Sequence, residues 1–431
     1  MTAPLGKNAG SALGTGDGQQ GQRHFAIVGA GVIGAAIAHY IGSHPKRNGA
    51  LITVYEASSS VAPGASSHAG GFLAANSDLK NWHDPNTRSL AELSFRLHKE
   101  LAEAHDGTSQ WGYRPLHTFE GAADSTKVHN AAPAERLEWL NHGIFPRKPR
   151  RIGKPRNTAQ VTPGAFCAFL FQHAKTQLGV QVLLNRKVTG IRTTASGKVC
   201  SILVSEYGQR SRKTEVTDVI VCAGPWTGAT VSQALLPGSP LHTLPFVRSA
   251  ARVSGWRAHS ILFRTAAETG DHALFISELS YRAQDETRAG TPEYYCRADG
   301  TVYGCASTDE EELPESVGDV DVDVGEIERL IEQTKIVFLP DVLGGDQIDL
   351  VRAAACFMPF SPESWTPIIN FSAAHGFGVA TGHTCWGITL SLGTGKVMSE
   401  LIFDGMAASA DISELNGERV PDADRKEAEK D

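Results

Sequence analysis

The clearest alternation of hydrophobic and polar positions lies near the start of the chain and predicts a β-α-β unit. Residues 24–28 form an apolar run of β type that leads directly into the glycine-rich turn GAGVIG at 29–34. An Ala-rich helical stretch follows over 35–41, and a second apolar run over 51–55 ends on the carboxylate of Glu56. A strand, a G-x-G-x-x-G turn, a helix and a second strand that ends in an acid are together typical of a dinucleotide-binding fold.

The residue types in this unit suit a dinucleotide for physical reasons. Gly29 permits a tight turn out of the strand, Gly31 lets the backbone approach a pyrophosphate, and Gly34 lets the helix pack closely on the strands. The helix N-terminus presents free N–H groups and the positive end of its dipole to the phosphates. The Glu56 carboxylate can accept hydrogen bonds from ribose hydroxyls and would repel a 2′-phosphate, which disfavours NADP. These residues alone leave FAD and NAD open.

The rest of the chain alternates between helical and β-type periodicities. A loop of small residues over 62–72 follows the nucleotide unit and is typical of a segment that contacts a ligand. Beyond it the patterns predict, in order, an amphipathic helix at 89–105, a turn-rich excursion into another domain at 106–160, a helix at 162–178, β-type runs at 180–221 and 240–310, a helix at 327–338, a strand at 376–382 and a final helix at 393–402.

The composition is that of a globular chain without the signature of a nucleic-acid-binding protein. Its 431 residues are enough for two packed domains, and the net charge of −7 comes without a large basic block, so no nucleic-acid partner is expected. The apolar window 25–41 contains a glycine turn and is too short for a membrane span. Seven irregularly spaced cysteines without a C-x-x-C favour a reducing, cytoplasmic location.

Three motifs in a fixed order carry a resemblance to a known family. They are the glycine turn with Glu56, the mid-chain VCAGPWT at 221–227 and the C-terminal ATGHTCWGI at 380–388. Together they resemble the D-amino-acid oxidase, glycine oxidase and sarcosine oxidase family of FAD-dependent oxidoreductases, over most of 24–402. The stretch GASSHAGGFLA at 64–74 and the C-terminal motif look closest to a fungal subgroup of that family.

The resemblance implies an α/β fold in which a glutathione-reductase-type Rossmann FAD-binding domain is interleaved with a mixed-sheet α+β substrate domain. It favours FAD over NAD because the C-terminal motif returns to the nucleotide domain, as flavin folds of this type require. We expect a disordered tail at 1–22, an FAD-binding domain at 23–80, 160–240 and 355–405, a substrate domain at 81–159 and 241–354, and a flexible C-terminal tail at 406–431.

The resemblance also implies which residues hold FAD. Glu56 and the glycines would hold the ADP half, Val188 would meet the adenine through its backbone, and residues 66–71 would line the pyrophosphate and the isoalloxazine. Backbone N–H groups near Gly382 would stabilise negative charge that develops at the flavin pyrimidine edge. The expected set is Gly29, Ala30, Gly31, Val32, Ile33, Gly34, Glu56, Ala57, Ser66, Ser67, His68, Ala69, Gly70, Gly71, Val188, Ala223, Gly224, Trp226, Cys356, Gly382, His383, Thr384, Trp386, Gly387, Ile388 and Thr389.

The substrate-binding positions of the family are altered in this chain. Its amino-acid oxidases hold the substrate carboxylate with arginines, and Met358 and Cys385 stand at the matching positions. Arg352 lies nearby and is the candidate replacement, with a structural ion pair as the alternative. No lysine occurs between Lys213 and Lys335, the region in which sarcosine-type oxidases carry their oxygen-activating lysine.

Four further residues are candidates for roles at the flavin. Arg248 or His383 is the expected source of positive charge for oxygen activation. His68 either stacks near the flavin or is an ordinary loop histidine. Cys356 lies in a segment that resembles the one with which sarcosine oxidases attach the flavin 8α-methyl as a thioether, and its alternative role is that of a small buried hydrophobe.

The resemblance leads to one predicted function and three alternatives. We predict an FAD-dependent oxidoreductase that takes hydride from a C–N bond of an amine, imino or amino-acid-like small molecule, without a metal, with O₂ as the acceptor and hydrogen peroxide as the product. The first alternative is a dehydrogenase that passes electrons to a quinone or a protein carrier. The others are an FAD-binding protein with an assembly or trafficking role, and an NAD-dependent dehydrogenase.

Overall fold

The structure is a computed structural model that describes residues 22–129, 137–206, 209–283 and 286–418. Apart from residue 22, the N-terminal tail expected at 1–22 lies outside these ranges, and so do residues 419–431 of the expected C-terminal tail. No helix in the described ranges combines the length and the apolarity that crossing a membrane requires.

The strands follow one another from the glycine-rich turn to the C-terminal motif. In chain order they are β1 (His24–Val28), β2 (Leu51–Tyr55), β3 (Phe72–Ala74), β4 (Arg114–Pro115), β5 (His117–Asp124), β6 (Arg150–Gly153), β7 (Thr158–Gln160), β8 (Gln181–Leu183), β9 (Arg186–Thr193), β10 (Val199–Glu206), β11 (Arg212–Glu215), β12 (Asp218–Val221), β13 (Ser254–Arg264), β14 (His272–Ala283), β15 (Glu286–Gly290), β16 (Glu293–Cys296), β17 (Thr301–Asp309), β18 (Asp349–Phe360), β19 (Ile368–Ser372) and β20 (Phe377–Thr381).

The helices fall between these strands. The α-helices are α1 (Val32–Ser43), α2 (Ala65–His68), α3 (Pro85–Ala104), α4 (Gly107–Trp111), α5 (Pro163–Leu178), α6 (Thr227–Ala234), α7 (Pro245–Ala250), α8 (Val324–Val337), α9 (Pro340–Leu343) and α10 (Gly387–Phe403). Short 3₁₀ helices lie at Pro45–Arg47, His142–Ile144, Gly224–Trp226, Pro240–Thr243, Val317–Asp319, Thr384–Trp386 and Ser413–Leu415.

The first sheet is the predicted nucleotide-binding sheet, in the order β19-β20-β12-β1-β2-β8. The five strands β20, β12, β1, β2 and β8 are parallel, and the edge strand β19 is antiparallel to β20. The strands are nearly continuous apolar runs because helices cover the sheet, as in other parallel sheets. The helix α1 packs between α5 and α10 over one core that includes Ile37, Phe166 and Leu392.

The second sheet is mixed and carries the larger share of the predicted substrate domain. Its order is β18-β13-β17-β16-β14-β5-β6, with β15 added on β14, and β14 and β5 run parallel while the other pairs are antiparallel. One face packs on α8 through a core that includes Phe263, Tyr281 and Val337. The other face meets the nucleotide-binding part of the chain. These two sheets confirm the predicted fold class.

The structure differs from the expected domain borders in three places. The helices α3 and α4 lie within 81–159 but pack on the nucleotide-binding side, where Ser94 Oγ accepts a hydrogen bond from Gly393 N at 2.9 Å. The strand β18 belongs wholly to the mixed sheet and crosses the border placed at 355. Residues 406–418 are packed rather than flexible, because Ile412 and Leu415 are buried in the core. The helix α10 begins at Gly387, six residues before its predicted start.

Candidate active site

The glycine-rich turn connects β1 to α1 with very little space around it. Gly29 has φ +110°, and a Cβ there would lie 2.5 Å from the carbonyl oxygen of Cys222, so only glycine fits. A Cβ on Gly34 would lie 2.1 Å from the carbonyl oxygen of Gly29. Gly31 is different, since its φ of −77° suits any residue and a Cβ would meet the Ser66 hydroxyl at 3.2 Å. The turn therefore brings the start of α1 against β1, as the sequence predicts.

Glu56 ties the glycine-rich turn to the end of β2. Its buried carboxylate accepts hydrogen bonds from the backbone N–H groups of Ala30 at 2.8 Å and Ser58 at 2.9 Å. The neighbouring Ala57 is exposed. A carboxylate has lone pairs for further donors, so the expected bond to ribose hydroxyls is compatible with this geometry and stays a prediction.

The loop that contains α2 lies between the two sheets. Ser66 Oγ accepts a hydrogen bond from Val32 N at the start of α1 (3.0 Å), and Ser67 O accepts one from Arg352 Nη2 (3.3 Å). His68 donates from Nδ1 to Gly64 O at 2.9 Å, and burial lowers its pKa. Further along the loop, the Arg297 Nη2 atom donates to the carbonyl oxygens of Ala69 and Gly70 at 3.4 and 3.5 Å. Residues 66–70 are thus held by hydrogen bonds to the nucleotide-binding part of the chain through Ser66 and to the mixed-sheet part through Arg352 and Arg297.

The mid-chain and C-terminal motifs meet at the ends of β12 and β20. Thr381 Oγ1 donates to Gly224 O at 3.1 Å, so the end of β20 lies against the mid-chain turn, and Thr389 Oγ1 donates to Phe72 O at 3.0 Å, so the start of α10 lies against β3. A Cβ on Gly224 would meet nothing within 4 Å. Open space therefore flanks the turn that the resemblance places beside the cofactor, and the residues present fit a bound FAD.

The remaining residues expected at the cofactor fall into buried and accessible positions. Val188 is buried in a core that also holds Tyr55 of β2, near the predicted adenine position. Ile388 is buried at the start of α10, where its carbonyl oxygen accepts a hydrogen bond from His98 Nε2 at 2.9 Å. Five further residues of the expected set keep some exposure: Ile33, Ala223, Thr384, Trp386 and Gly387.

The two residues expected to supply positive charge lie in opposite environments, one buried and one exposed. His383 is fully enclosed, its Nε2 contacts Thr394 Oγ1 at 3.0 Å, and burial lowers its pKa to about 3. It is therefore neutral and serves as a structural partner of α10. Arg248 is exposed on α7, whose buried residues Phe246 and Val247 pack towards β19 and β20. Its side chain does not line the cavity described next, so the geometry favours neither residue for this role, and both assignments stay predictions.

A cavity of about 210 Å³ lies between α2, the mid-chain turn and β18. Arg352 and Cys356 line it from β18, and His68 and Trp226 line it from the nucleotide-binding side. Arg352 is half-buried and makes no carboxylate contact within the described ranges, which favours the ligand-binding role over the structural ion pair. No group of three or more His, Cys, Asp or Glu in those ranges is placed to hold a metal ion.

Cys356 lines the cavity from β18, but its thiol is not activated. It is 7% exposed, and burial raises the pKa of its thiol to about 12, although the nearby Arg352 opposes this shift. A thioether link requires the thiolate as nucleophile. The environment therefore favours the alternative role of a buried apolar side chain, and covalent attachment remains untested.

An aromatic cluster on the mixed sheet was not expected from the motifs. Tyr295 and Tyr303 are stacked with centroids 5.7 Å apart, and Phe72 of β3 stacks on Tyr295 at 5.4 Å. Arg297 is 6% exposed and lies 5.6 Å from the Tyr303 ring, and its Nε has no hydrogen-bond partner in the described ranges. The run EYYCR at 293–297 does not alternate between polar and apolar residues, so the sequence carries no period-two signal for this cluster.

The chain matches known proteins over nearly its whole length. The family described as FAD dependent oxidoreductase (DAO) matches residues 24–401. The chain is 34% identical over 408 residues to a Schizosaccharomyces pombe protein called "Putative oxidoreductase C1F5.03c", which covers 92% of this chain and 98% of the relative.

Solved structures share the fold at low identity. Glycine oxidase from Geobacillus kaustophilus superposes with a TM-score of 0.68 at 19% identity, over 91% of this chain and 98% of that one. L-proline dehydrogenase from P. horikoshii gives 0.68 at 13% identity, over 92% and 97%. The chain belongs to the DAO family of FAD-dependent oxidoreductases, and FAD is its cofactor.

Proposed function

We propose that the chain oxidises a C–N bond of an amine, imino or amino-acid-like small molecule and that O₂ is the electron acceptor. The cavity beside Arg352 carries this proposal, because it lies between the loops expected to hold FAD, which contribute His68 and Trp226, and residues 352–357 of β18. A substrate bound there would have the guanidinium of Arg352 beside it and the small and apolar residues 353–357 of β18 along one wall. Bound FAD would supply the hydride acceptor.

The chain's own residues orient the substrate and exclude water. The aromatic cluster of Phe72, Trp82, Tyr295 and Tyr303 closes one side of the space between the two sheets, and each of its rings is buried. Water exclusion strengthens every electrostatic interaction inside the site. Arg352 offers a guanidinium that can bind an anionic group of a substrate.

Oxygen reduction gains from a fixed positive charge near the flavin, because negative charge develops on oxygen. With His383 neutral and Arg248 exposed, Arg297 is the residue that supports this role. It is buried, and its guanidinium contacts the loop at Ala69 and Gly70 that the resemblance places against the isoalloxazine. The two solved relatives are named an oxidase and a dehydrogenase, so the acceptor has to be measured for this chain.

The test mixes the purified yellow protein anaerobically with single amines and amino acids, glycine and L-proline included, and then admits air. We expect at least one of them to bleach the flavin band, and air to restore it with stoichiometric peroxide. Bleaching that air does not reverse, but that a quinone does, would contradict the oxygen assignment. Failure of every amine to bleach the band would contradict C–N oxidation itself.

A further inference from the structure

One wall of the cavity beside Arg352 belongs to residues 309–323, a segment rich in Asp and Glu. The sequence over 319–324 reads DVDVDV, and alternate residues of an extended chain point to opposite sides. No Asp or Glu of the described ranges lines the cavity, whereas three valines of the segment do: Val317, Val320 and Val322. The segment therefore turns apolar side chains to the cavity and its acids away from it.

Hydrogen bonds hold this segment in place at its middle and at its end. Trp226 Nε1, in the mid-chain turn, donates to Pro314 O at 2.6 Å. The backbone N–H of Asp323 donates to Nε2 of the buried His259 on β13 at 3.0 Å. A wall that is already ordered before a ligand arrives lowers the entropic cost of binding. The valines are therefore a preformed part of the cavity.

A positive charge lies close to this apolar wall. Arg352 Nη2 donates to Ser67 O at 3.3 Å, and a Cβ on Gly64 would lie 3.5 Å from Val317 Cγ2. Gly64 and Ser67 are separated by about 5 Å, one turn of α2. His68 also lines the cavity, but burial lowers its pKa, so the positive charge at neutral pH comes from Arg352. This arrangement fits a small molecule that carries an anionic group beside an apolar one.

We propose that the three valines select substrates that carry an apolar side chain next to the anionic group bound by Arg352. The inference rests on the proposed function, which places the substrate in this cavity, and it narrows the substrate class to amino acids with aliphatic side chains. Each methylene group that is buried against the wall should strengthen binding about fourfold. A very small or polar side chain would gain nothing from the valines.

The experiment titrates the FAD-loaded full-length protein with acetate and with isocaproate, the carboxylate that corresponds to leucine without its amino group. Neither compound has a C–N bond, so binding is measured without turnover, by isothermal calorimetry and by the shift of the flavin absorption band. Both are monoanions, so the acids of the segment affect them equally. Val320→Thr replaces a methyl group by a hydroxyl at a half-buried position, and Val324→Thr makes the same change at a 68% exposed position on α8 as the matched control.

We expect the wild-type protein to bind isocaproate at least about tenfold more tightly than acetate. Val320→Thr should weaken isocaproate binding about fivefold and leave acetate binding unchanged, because the bound alkyl chain leaves the new hydroxyl without a partner. Val324→Thr should match the wild type. Should Val320→Thr fail to fold, Val317→Thr carries the same test from the other end of the wall.

Four results would overturn the inference. They are equal affinity of the wild type for the two carboxylates, no binding of either, wild-type isocaproate affinity in the threonine variant, and a threonine variant that binds FAD more weakly but keeps the preference for isocaproate. The last result would place the cofactor, rather than the substrate, against the valines.

The outcome also separates this inference from the proposed function. If amino acids bleach the flavin while Val320→Thr keeps its isocaproate affinity, the valines do not select the substrate and C–N oxidation stands. If the valines select isocaproate and no amine or amino acid bleaches the flavin, the apolar wall stands and the oxidation proposal fails.

Discussion

Replacing Gly34 by alanine should damage the fold of the nucleotide-binding sheet, whereas replacing Gly31 should damage FAD binding alone. A Cβ at position 34 would lie 2.1 Å from the Gly29 carbonyl oxygen, whereas ordinary van der Waals contact begins at 3.4 Å. The helix α1 and the glycine-rich turn would therefore have to move apart by about 1.3 Å, the difference between these two distances. The obstacle is backbone and cannot rotate away. Gly31 has an unstrained φ of −77° and would meet only a hydroxyl.

The magnitudes follow from packing and helix propensity. Overpacking a tight contact costs about 3 kcal/mol, and the alanine gains about 1 kcal/mol of helix propensity over glycine, so Gly34→Ala should lose about 2 kcal/mol of unfolding free energy. Gly31→Ala should stay within about 0.5 kcal/mol of the wild type. Its methyl group should instead weaken FAD at least about tenfold, because the pyrophosphate has to approach the backbone there.

The assay is urea unfolding of the apoproteins followed by tryptophan fluorescence, together with FAD titration of each protein. Gly34→Ala should show an earlier urea midpoint and weak FAD binding, and Gly31→Ala an unchanged midpoint and weak FAD binding. A Gly34→Ala apoprotein as stable as the wild type would refute the packing argument. Wild-type FAD affinity in Gly31→Ala would refute the placement of the pyrophosphate.

Three further predictions concern titration, the cysteine and the arginine in the cavity. Burial lowers the pKa of His98 to about 4 and that of His383 to about 3, whereas both histidines have a pKa of about 6.5 in the unfolded chain. The unfolded state therefore binds more protons than the folded state below pH 7. Each histidine should remove about 2 kcal/mol of unfolding free energy as the pH falls from 7 to 5. Urea midpoints at the two pH values measure this loss, and equal midpoints would contradict it. Acid precipitation should release FAD into the supernatant, because Cys356 is held as a thiol; a yellow pellet from the wild type that Cys356→Ala abolishes would show a covalent link instead. Arg352→Gln should raise the KM for amino acids about tenfold and leave that for alkyl amines unchanged, which steady-state kinetics with both classes would test.

The nucleotide-binding half of the site could be predicted because its residues lie close together in the sequence. Gly29, Gly34 and Glu56 act within one β-α-β unit, whose steric requirements are local. The mid-chain and C-terminal motifs could be placed beside this unit because they occur in the order typical of the family that the chain resembles. The hydrogen bond between Thr381 and Gly224 shows the two motifs in contact.

The substrate half could not be predicted because its residues meet only through the register of a mixed sheet. Tyr295 belongs to a short strand, EYYC at 293–296, whose sequence does not show which of its residues face the cofactor loops. That assignment depends on pairings with β17, β13 and β18, which the sequence does not specify. The environments of Arg248 and His383 could not be predicted for a related reason, since exposure on α7 and burial against Thr394 are consequences of tertiary packing.

The measurement that tests the central claim most directly is anaerobic reduction of the FAD-loaded protein by a panel of primary and secondary amines, followed in a stopped-flow spectrophotometer. The account predicts that at least one amine bleaches the flavin band, with a rate that saturates with amine concentration. A yellow protein that no amine bleaches would contradict the assignment to C–N oxidation.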